Sequence, residues 1–161
     1  MYTSFMKRKL HKMIFCLALA IIVILFSQKT YASLGGSPDS IASDKKALLA
    51  IRSTTNTFNK YTIHEFHSGP NTVREYVSSS GVVFGVAWNG LIHPDLTLLL
   101  GSYATEHQRA LSHVVHHPGR RYFKIKTDNM VVEKWGHMRN LRGRAYVPAL
   151  IPQEISTDEI K

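Results

Sequence analysis

Cysteine is almost absent from this sequence of 161 residues, since the only one, Cys16, lies in an apolar segment near the N-terminus. A single thiol excludes an intramolecular disulfide and the paired cysteines of zinc and redox motifs. Long apolar runs are also scarce: the longest, residues 13–26, is shorter than the roughly 20 residues of a membrane-spanning helix. The G-x-S-x-G turn of α/β-hydrolases is missing as well. The stability of the chain therefore depends on its hydrophobic core.

The N-terminal segment has the three parts of a secretory signal peptide. A basic stretch that ends at Lys12 is followed by the apolar run, and Thr30-Tyr31-Ala32 is similar to an A-x-A cleavage site. The alternative is an uncleaved membrane anchor, for which the apolar run is short. We therefore predict that residues 1–32 are a signal peptide and that residues 33–161 form a single exported α+β domain, periplasmic or secreted.

Removal of this signal peptide would change the bulk properties of the chain. Five positive charges and the cysteine lie in it, so the formal net charge falls from +9 to +4 and no thiol is left as a nucleophile. A net charge of this size is moderate, and the protein is expected to be exported, so nucleic acid is not favoured as a partner. Contact with a membrane is expected only through an uncleaved signal.

Alternation of apolar and polar residues predicts five or six β-strands. Turn-forming residues separate most of them, so neighbouring strands are expected to pair as hairpins. In the third strand Phe84, Val86 and Trp88 are expected to share one face, and in the second strand Glu75 is expected on the same face as Val73. The predicted strands are residues 61–67, 72–77, 82–88, 122–126, 130–135 and 138–147.

Helical spacing of apolar residues occurs in three places. Ser43 or Asp44 is expected to cap a short helix that ends before residues 54–59, Pro94 suits the first turn of a second helix, and residues 103–115 form a third. Two prolines after the last strand indicate an irregular tail. The combination predicts the α+β class: an antiparallel sheet of about five strands with two or three helices packed on one face.

Basic residues are concentrated in residues 120–144 and point to an anionic ligand. Arg142 and Arg144 are two residues apart and face the same way in a strand, and with Arg139 they form the candidate binding site. Guanidinium groups in such a patch would hold phosphates, carboxylated glycans or lipid headgroups. The alternative is a solvated, charged sheet face that prevents edge-to-edge aggregation. Trp135, at the end of an apolar strand, is predicted to be a core residue.

The histidines offer a weaker candidate for chemistry. His113, His116 and His117 have the spacing of one helix face and are the only candidate metal ligands that we single out. Their order matches no catalytic zinc signature, and histidines at a helix C-terminus also interact favourably with the helix dipole. No cofactor is predicted.

Short motifs are spread over nearly the whole exported part: LGG at 34–36, REYV at 74–77, GVVF at 81–84, PDL at 94–96, GHM at 136–138 and GRAYVP at 143–148. Together they resemble a family of short exported proteobacterial proteins that is catalogued only as a domain of unknown function. The resemblance implies a Gram-negative exported protein and transfers no site residues. Within the best-matching blocks, a shared site would be sought at Glu75, Asp95 and His137.

Three functions remain open at this point. The leading hypothesis is a non-enzymatic periplasmic or secreted module that binds an envelope component or a protein partner, with the arginine patch for an anionic ligand. The first alternative is a small envelope hydrolase that uses Glu75, Asp95 or His137, for which two of these side chains must meet in a pocket. The second alternative is a histidine-rich metal-binding protein.

The predicted signal peptide gives the first test. After export, N-terminal sequencing of the processed protein should begin near Ser33, because the cleavage site precedes it. A chain that keeps Met1, or that begins far from Ser33, would contradict the prediction.

Overall fold

Among the residues that the structure describes, seven antiparallel strands form one sheet. The structure is a computed structural model, and it describes residues 34–37, 52–58, 60–114, 119 and 121–161. The order across the sheet is β1-β2-β3-β4-β7-β6-β5. The strands are β1 (Arg52–Thr57), β2 (Tyr61–Ser68), β3 (Asn71–Ser78), β4 (Val83–Gly90), β5 (Tyr122–Lys126), β6 (Val131–His137) and β7 (Asn140–Tyr146).

One helical segment lies between β4 and β5. It consists of α1 (Leu96–Leu100), a 3-10 turn (Gly101–Tyr103) and α2 (Ala104–Ser112). Asp95 caps α1, since its side chain accepts a hydrogen bond from the Thr97 amide at 2.8 Å. The predicted antiparallel sheet is confirmed, but the predicted numbers are wrong: the described residues form seven strands and a single helical segment. The helix expected after Ser43 or Asp44 lies outside the described residues.

Strand β1 is a correction to the sequence prediction, in which residues 54–59 are the break that ends a helix. β1 pairs with β2 along its whole length, from Arg52 opposite His67 to Thr57 opposite Thr62. Side chains 53–57 are all exposed and polar, as in an edge strand that faces water on both sides. An edge strand of this kind has no apolar alternation, so the sequence pattern cannot reveal it.

One face of the sheet, which we call the helix face, packs against the helical segment. Gly143 makes room there for the indole of Trp88, since a Cβ at this position would overlap the ring and lie 2.8 Å from the Glu133 carbonyl oxygen. Val73 and Val77 of β3 belong to this core. Its buried members are Leu34, Phe66, Val73, Val77, Val83, Val86, Trp88, Leu96, Leu99, Leu100, Ala104, Met130, Val132, Ala145 and Val147.

A β-bulge in β4 alters the predicted distribution of its side chains. Tyr76 pairs with Gly85 and Val77 pairs with Val83, so Phe84 is the additional residue. Phe84 therefore packs on the face opposite to Val86 and does not share a face with Trp88. The prediction that these side chains share one face is wrong, because a bulge shifts the alternation by one residue.

The C-terminal tail, residues 148–161, covers the other face of the sheet, which we call the tail face. Two 3-10 turns, Pro148–Leu150 and Thr157–Glu159, shape the tail. Ile160 is fully buried, and a Cβ at Gly85 would lie 2.9 Å from its Cδ1. The core on this face comprises Tyr76, Phe84, Ala87, Val131, Tyr146, Ile155 and Ile160. The centre of the sheet is thus covered on both faces, by the helical segment and by the tail.

The predicted signal peptide, residues 1–32, lies outside the described residues. Within the described part of the chain, no helix is both long enough and apolar enough to cross a membrane.

The packing of the tail predicts the effect of shortening its last buried side chain. Ile160→Ala should lower the free energy of unfolding by about 3 kcal/mol, because it leaves a cavity between the tail and the sheet. Ile92→Ala is the matched control, since this side chain is 57% exposed and should change stability little. Urea unfolding measures both variants. Equal stabilities for the two would contradict a tail packed on the sheet.

Candidate functional site

A buried carboxylate organises the tail face. Glu133 of β6 is 3% exposed, and it lies between Arg144 of β7 and Lys124 of β5 in the strand register. It accepts hydrogen bonds from Arg144 Nε at 2.5 Å, Lys124 Nζ at 2.7 Å and the Tyr122 hydroxyl at 3.0 Å. Burial alone would raise the pKa of Glu133, but hydrogen bonds from Lys124, Arg144 and Tyr122 outweigh it and hold the pKa below its ordinary value of 4.5.

Arg144 connects this carboxylate to the tail. Its Nη1 donates to the carbonyl oxygens of Thr157 at 2.6 Å and of Ile160 at 3.4 Å, and it lies 3.7 Å from Asp158 Oδ1. The guanidinium carbon also lies 5.8 Å from the ring centre of Trp135. The positive charge of Arg144 is therefore compensated within the molecule, and its donors hold β6, β7 and the tail together.

A groove of about 570 Å³ runs beside the tail on this face. The Phe58 ring stacks on Tyr61 at 5.1 Å, and Tyr61 lies 6.0 Å from Tyr76, so aromatic rings line one side. A smaller hollow of about 380 Å³ shares Trp135 and Lys161 with it. The groove is lined by Phe58, Tyr61, Ile63, Arg74, Tyr76, Trp88, Asn89, Trp135, Arg142, Gly143, Glu159 and Lys161.

The two arginines of the groove differ in their charge environment. Arg74 donates through Nε to Glu65 Oε2 at 2.6 Å, so its charge is compensated. Arg142 is exposed and donates through Nε to the neutral side chain of Asn140 at 3.1 Å. Within the described ranges, no carboxylate lies within 4.0 Å of the Arg142 guanidinium. Arg142 is thus an uncompensated positive charge at the groove.

The tyrosines of the groove are held in their neutral form. Burial raises the pKa of Tyr61, and so does the Glu159 carboxylate, which accepts a hydrogen bond from its hydroxyl at 3.0 Å. Burial also raises the pKa of Tyr76, whose hydroxyl donates to the carbonyl oxygen of Lys161 at 2.8 Å. The groove therefore offers neutral aromatic surface beside the guanidinium of Arg142.

The three arginines that the sequence groups together have three different places. Arg142 and Arg144 lie on the tail face, where they pair with Trp135 and Glu133 of β6. Arg139 lies in the turn between β6 and β7, exposed and with a φ of 69°. The alternation of side chains along β7 brings Arg142 and Arg144 to one face. Of these two, Arg142 is the arginine whose charge is available to a ligand, because Glu133 compensates Arg144.

The residues of the possible shared family site do not meet in one place. Glu75 of β3 is 1% exposed. Across the sheet it is aligned with Val132 of β6, because paired residues connect the two positions through Val86 and Ala145. His137 lies five residues beyond Val132 along β6, which is about 17 Å of strand. Asp95 caps α1 outside the sheet. The register therefore separates Glu75 from His137.

Neutral imidazoles and a lysine lie on the helix face. Trp88 Nε1 donates to His93 Nδ1 at 3.0 Å, and His107 of α2 is buried. Burial lowers the pKa of both histidines, and the positive charge of Lys134 lowers it further. Burial also lowers the pKa of Lys134 itself. This cluster keeps its imidazoles uncharged near neutral pH.

The described residues contain no group of three or more His, Cys, Asp or Glu side chains that could hold a metal ion. His113 is exposed at the end of α2, whereas His116 and His117 lie outside the described residues. The described part of the chain therefore adds no further metal ligand beside His113.

Sequence reasoning missed three residues of the groove. The sequence pattern predicts that Phe58 lies in the segment that ends a helix and that Trp135 lies in the core, and it gives Asn89 no role. The sequence carries one relevant signal, the basic and aromatic composition of residues 120–144. Composition does not predict the strand register, which places Trp135 and Asn89 on either side of Arg142.

The Glu133 network predicts a specific dependence of stability on pH. Because the pKa of Glu133 is lowered in the folded state, its contribution is fully present above about pH 4.5 and is lost as the pH falls through the folded-state pKa. Glu133→Gln should lose about 3 kcal/mol near neutral pH, since it leaves Arg144 without its partner. Its stability should also vary less with pH below 4.5.

Chemical denaturation between pH 3 and 7 measures both effects. Glu154→Gln is the matched control, because this carboxylate pairs with Lys60 on the exposed surface and should change stability little. Parallel pH profiles for wild type and Glu133→Gln would contradict the role of the buried carboxylate.

Comparison with known proteins identifies a family. The family model described as "Protein of unknown function (DUF2844)" matches residues 30–160, which confirms the resemblance noted from the sequence motifs. Neither a search of curated proteins nor a search of solved structures finds a match. The matched region includes all the strands of the sheet, the helical segment and nearly all of the tail. The chain therefore belongs to the DUF2844 family of proteins of unknown function.

Proposed function

We propose that the chain is a non-enzymatic binding module, exported to the periplasm or beyond, whose groove on the tail face holds a carboxylated glycan of the cell envelope. The observation that carries the proposal is the uncompensated guanidinium of Arg142 in a groove lined by aromatic rings. The predicted signal peptide supports the location, because it would bring the groove into contact with envelope components.

The charge of the ligand follows from Arg142. A guanidinium presents parallel N–H donors that match a carboxylate, and such charge-assisted pairs are stronger than neutral hydrogen bonds. Arg142 is exposed and pairs with no carboxylate among the described residues, so a ligand would not have to displace an internal carboxylate. Arg74 and Arg144 are different, because Glu65 and Glu133 already accept from them.

The glycan character of the ligand follows from the aromatic rings. The faces of a pyranose ring carry C–H groups, which pack well on flat aromatic surfaces. Phe58 is 50% exposed and stacks on Tyr61, and Trp135 pairs with Arg142 across the β6–β7 ladder. Asn89 is on the other side of Arg142 and can bond sugar hydroxyls. The volume of about 570 Å³ suits a short oligosaccharide segment.

The hydrolase alternative has less support. It requires two of Glu75, Asp95 and His137 within hydrogen-bond reach in one pocket. Glu75 is enclosed on the helix face, and His137 is exposed at the end of β6. A binding role needs only the groove, which the tail face provides.

Binding of a carboxylated oligosaccharide tests the proposal. Oligogalacturonate is the probe, and an uncharged glucan of the same length is its control, both measured by titration calorimetry. We expect binding of the charged oligosaccharide only, with an affinity that falls as NaCl is added. Failure of the wild-type chain to bind any carboxylated oligosaccharide at millimolar concentration would contradict the proposal.

Variants assign the binding to the groove. Arg142→Ala should lower the affinity at least tenfold, because it removes a charge-assisted pair. Arg142→Lys should recover part of the affinity, since it restores the charge but not the bidentate geometry. Arg109→Ala, an exposed arginine on α2, is the matched control and should bind like the wild type. Equal losses for Arg142→Ala and Arg109→Ala would show that only net charge matters.

A further inference from the structure

Three exposed apolar side chains lie at one end of the sheet. Met138 is 90% exposed, Ile92 57% and Leu91 53%. Leu91 and Ile92 follow Gly90, the last residue of β4, whereas Met138 lies in the turn between β6 and β7. Gly90 and Gly136 both pair with Leu141 of β7, so the two apolar tips lie two strands apart, about 10 Å.

The turn that carries Met138 is strained. His137 pairs with Asn140, so Met138 and Arg139 form a two-residue turn, and Arg139 has a φ of 69°. This conformation favours glycine or asparagine, and a long side chain there destabilises the fold. Neither a fully exposed methionine nor an arginine in this conformation contributes to folding, so both side chains point to an external role.

Two exposed arginines lie at this end of the sheet, and one exposed carboxylate, Asp95, follows the β4 tip. Arg121 lies beside the turn, since its carbonyl oxygen accepts a hydrogen bond from the Gly136 amide at 3.3 Å. Arg121 and Arg139 are exposed, and neither forms an ion pair with a described residue. The acid nearest in sequence to the β4 tip is Asp95, whose Oδ1 caps α1. This end therefore combines apolar tips with two free guanidinium groups.

We propose that this end of the sheet docks on a lipid bilayer that contains anionic headgroups. Leu91, Ile92 and Met138 insert between the headgroups, while Arg121 and Arg139 contact lipid phosphates. A protein partner fits less well, because a protein interface has a contiguous packed core that is rich in aromatic residues. Here separate aliphatic tips protrude around guanidinium groups, an arrangement that a fluid headgroup layer can accommodate. The docking surface is independent of the groove, because it uses none of the residues proposed to bind the glycan.

Oxidation of Met138 reports on this docking in the full chain. An exposed thioether is oxidised by peroxide, and insertion among lipids protects it. Peptide mass spectrometry should show Met138 oxidised at least fivefold more slowly with phosphatidylglycerol vesicles than with phosphatidylcholine vesicles. Buried Met130 should stay slow in both samples, which shows that the chain is folded. The N-terminal segment is present in every sample, and its basic stretch also favours anionic vesicles. The protection is therefore assigned to this end of the sheet by comparing arginine variants with the wild type on the same vesicles.

Variants at the arginines complete the test. Arg121→Gln combined with Arg139→Gln should reduce the protection of Met138 to less than twofold, whereas Arg109→Gln on α2 should keep it. Arg139→Gly should raise the midpoint of urea unfolding, because glycine suits a positive φ, and yet it should weaken the protection. Equal oxidation rates with anionic and neutral vesicles, or full protection in the double variant, would overturn the proposal.

Discussion

The ion pair between Glu133 and Arg144 is the interaction on which the tail face depends. Glu133 brings together donors from β5 and β7, and Arg144 carries the connection on to the carbonyl oxygens of the tail. Removing one partner would leave the other buried charge only partly compensated, so the pair acts as a unit. The tail that it holds covers the aromatic core of this face, and its residues Glu159 and Lys161 form part of the groove. The pair thus supports the tail residues that line the proposed binding site.

Five described arginines in or beside the sheet divide into two classes by position. Those over the interior of the sheet, Arg74 and Arg144, have carboxylate partners and hold the structure. Those toward the end of the sheet, Arg121, Arg139 and Arg142, have none among the described residues. The net charge can therefore be modest while three arginines without carboxylate partners lie toward one end. The proposed glycan groove therefore lies next to the proposed lipid-facing end.

Local patterns predict part of this molecule and tertiary contacts decide the rest. Alternation identifies β2 and β3 well, because their apolar side chains face a core. It misses β1, whose side chains are polar on both faces, and it misplaces Phe84, because a bulge is a property of strand pairing. The same limit applies to the site. The spacing of two residues predicts that Arg142 and Arg144 share a face. Only the register shows that Arg144 lies opposite Glu133, whereas Arg142 lies opposite Trp135.

The central claim is that the tail packs on the sheet and so creates the groove. A direct measurement is the nuclear Overhauser effect between the δ1 methyl of Ile160 and the α protons of Gly85, where the close approach requires a glycine. The account predicts a strong effect at neutral pH, with the tail amides protected from exchange. Absence of this effect, with random-coil chemical shifts for residues 148–161, would contradict it.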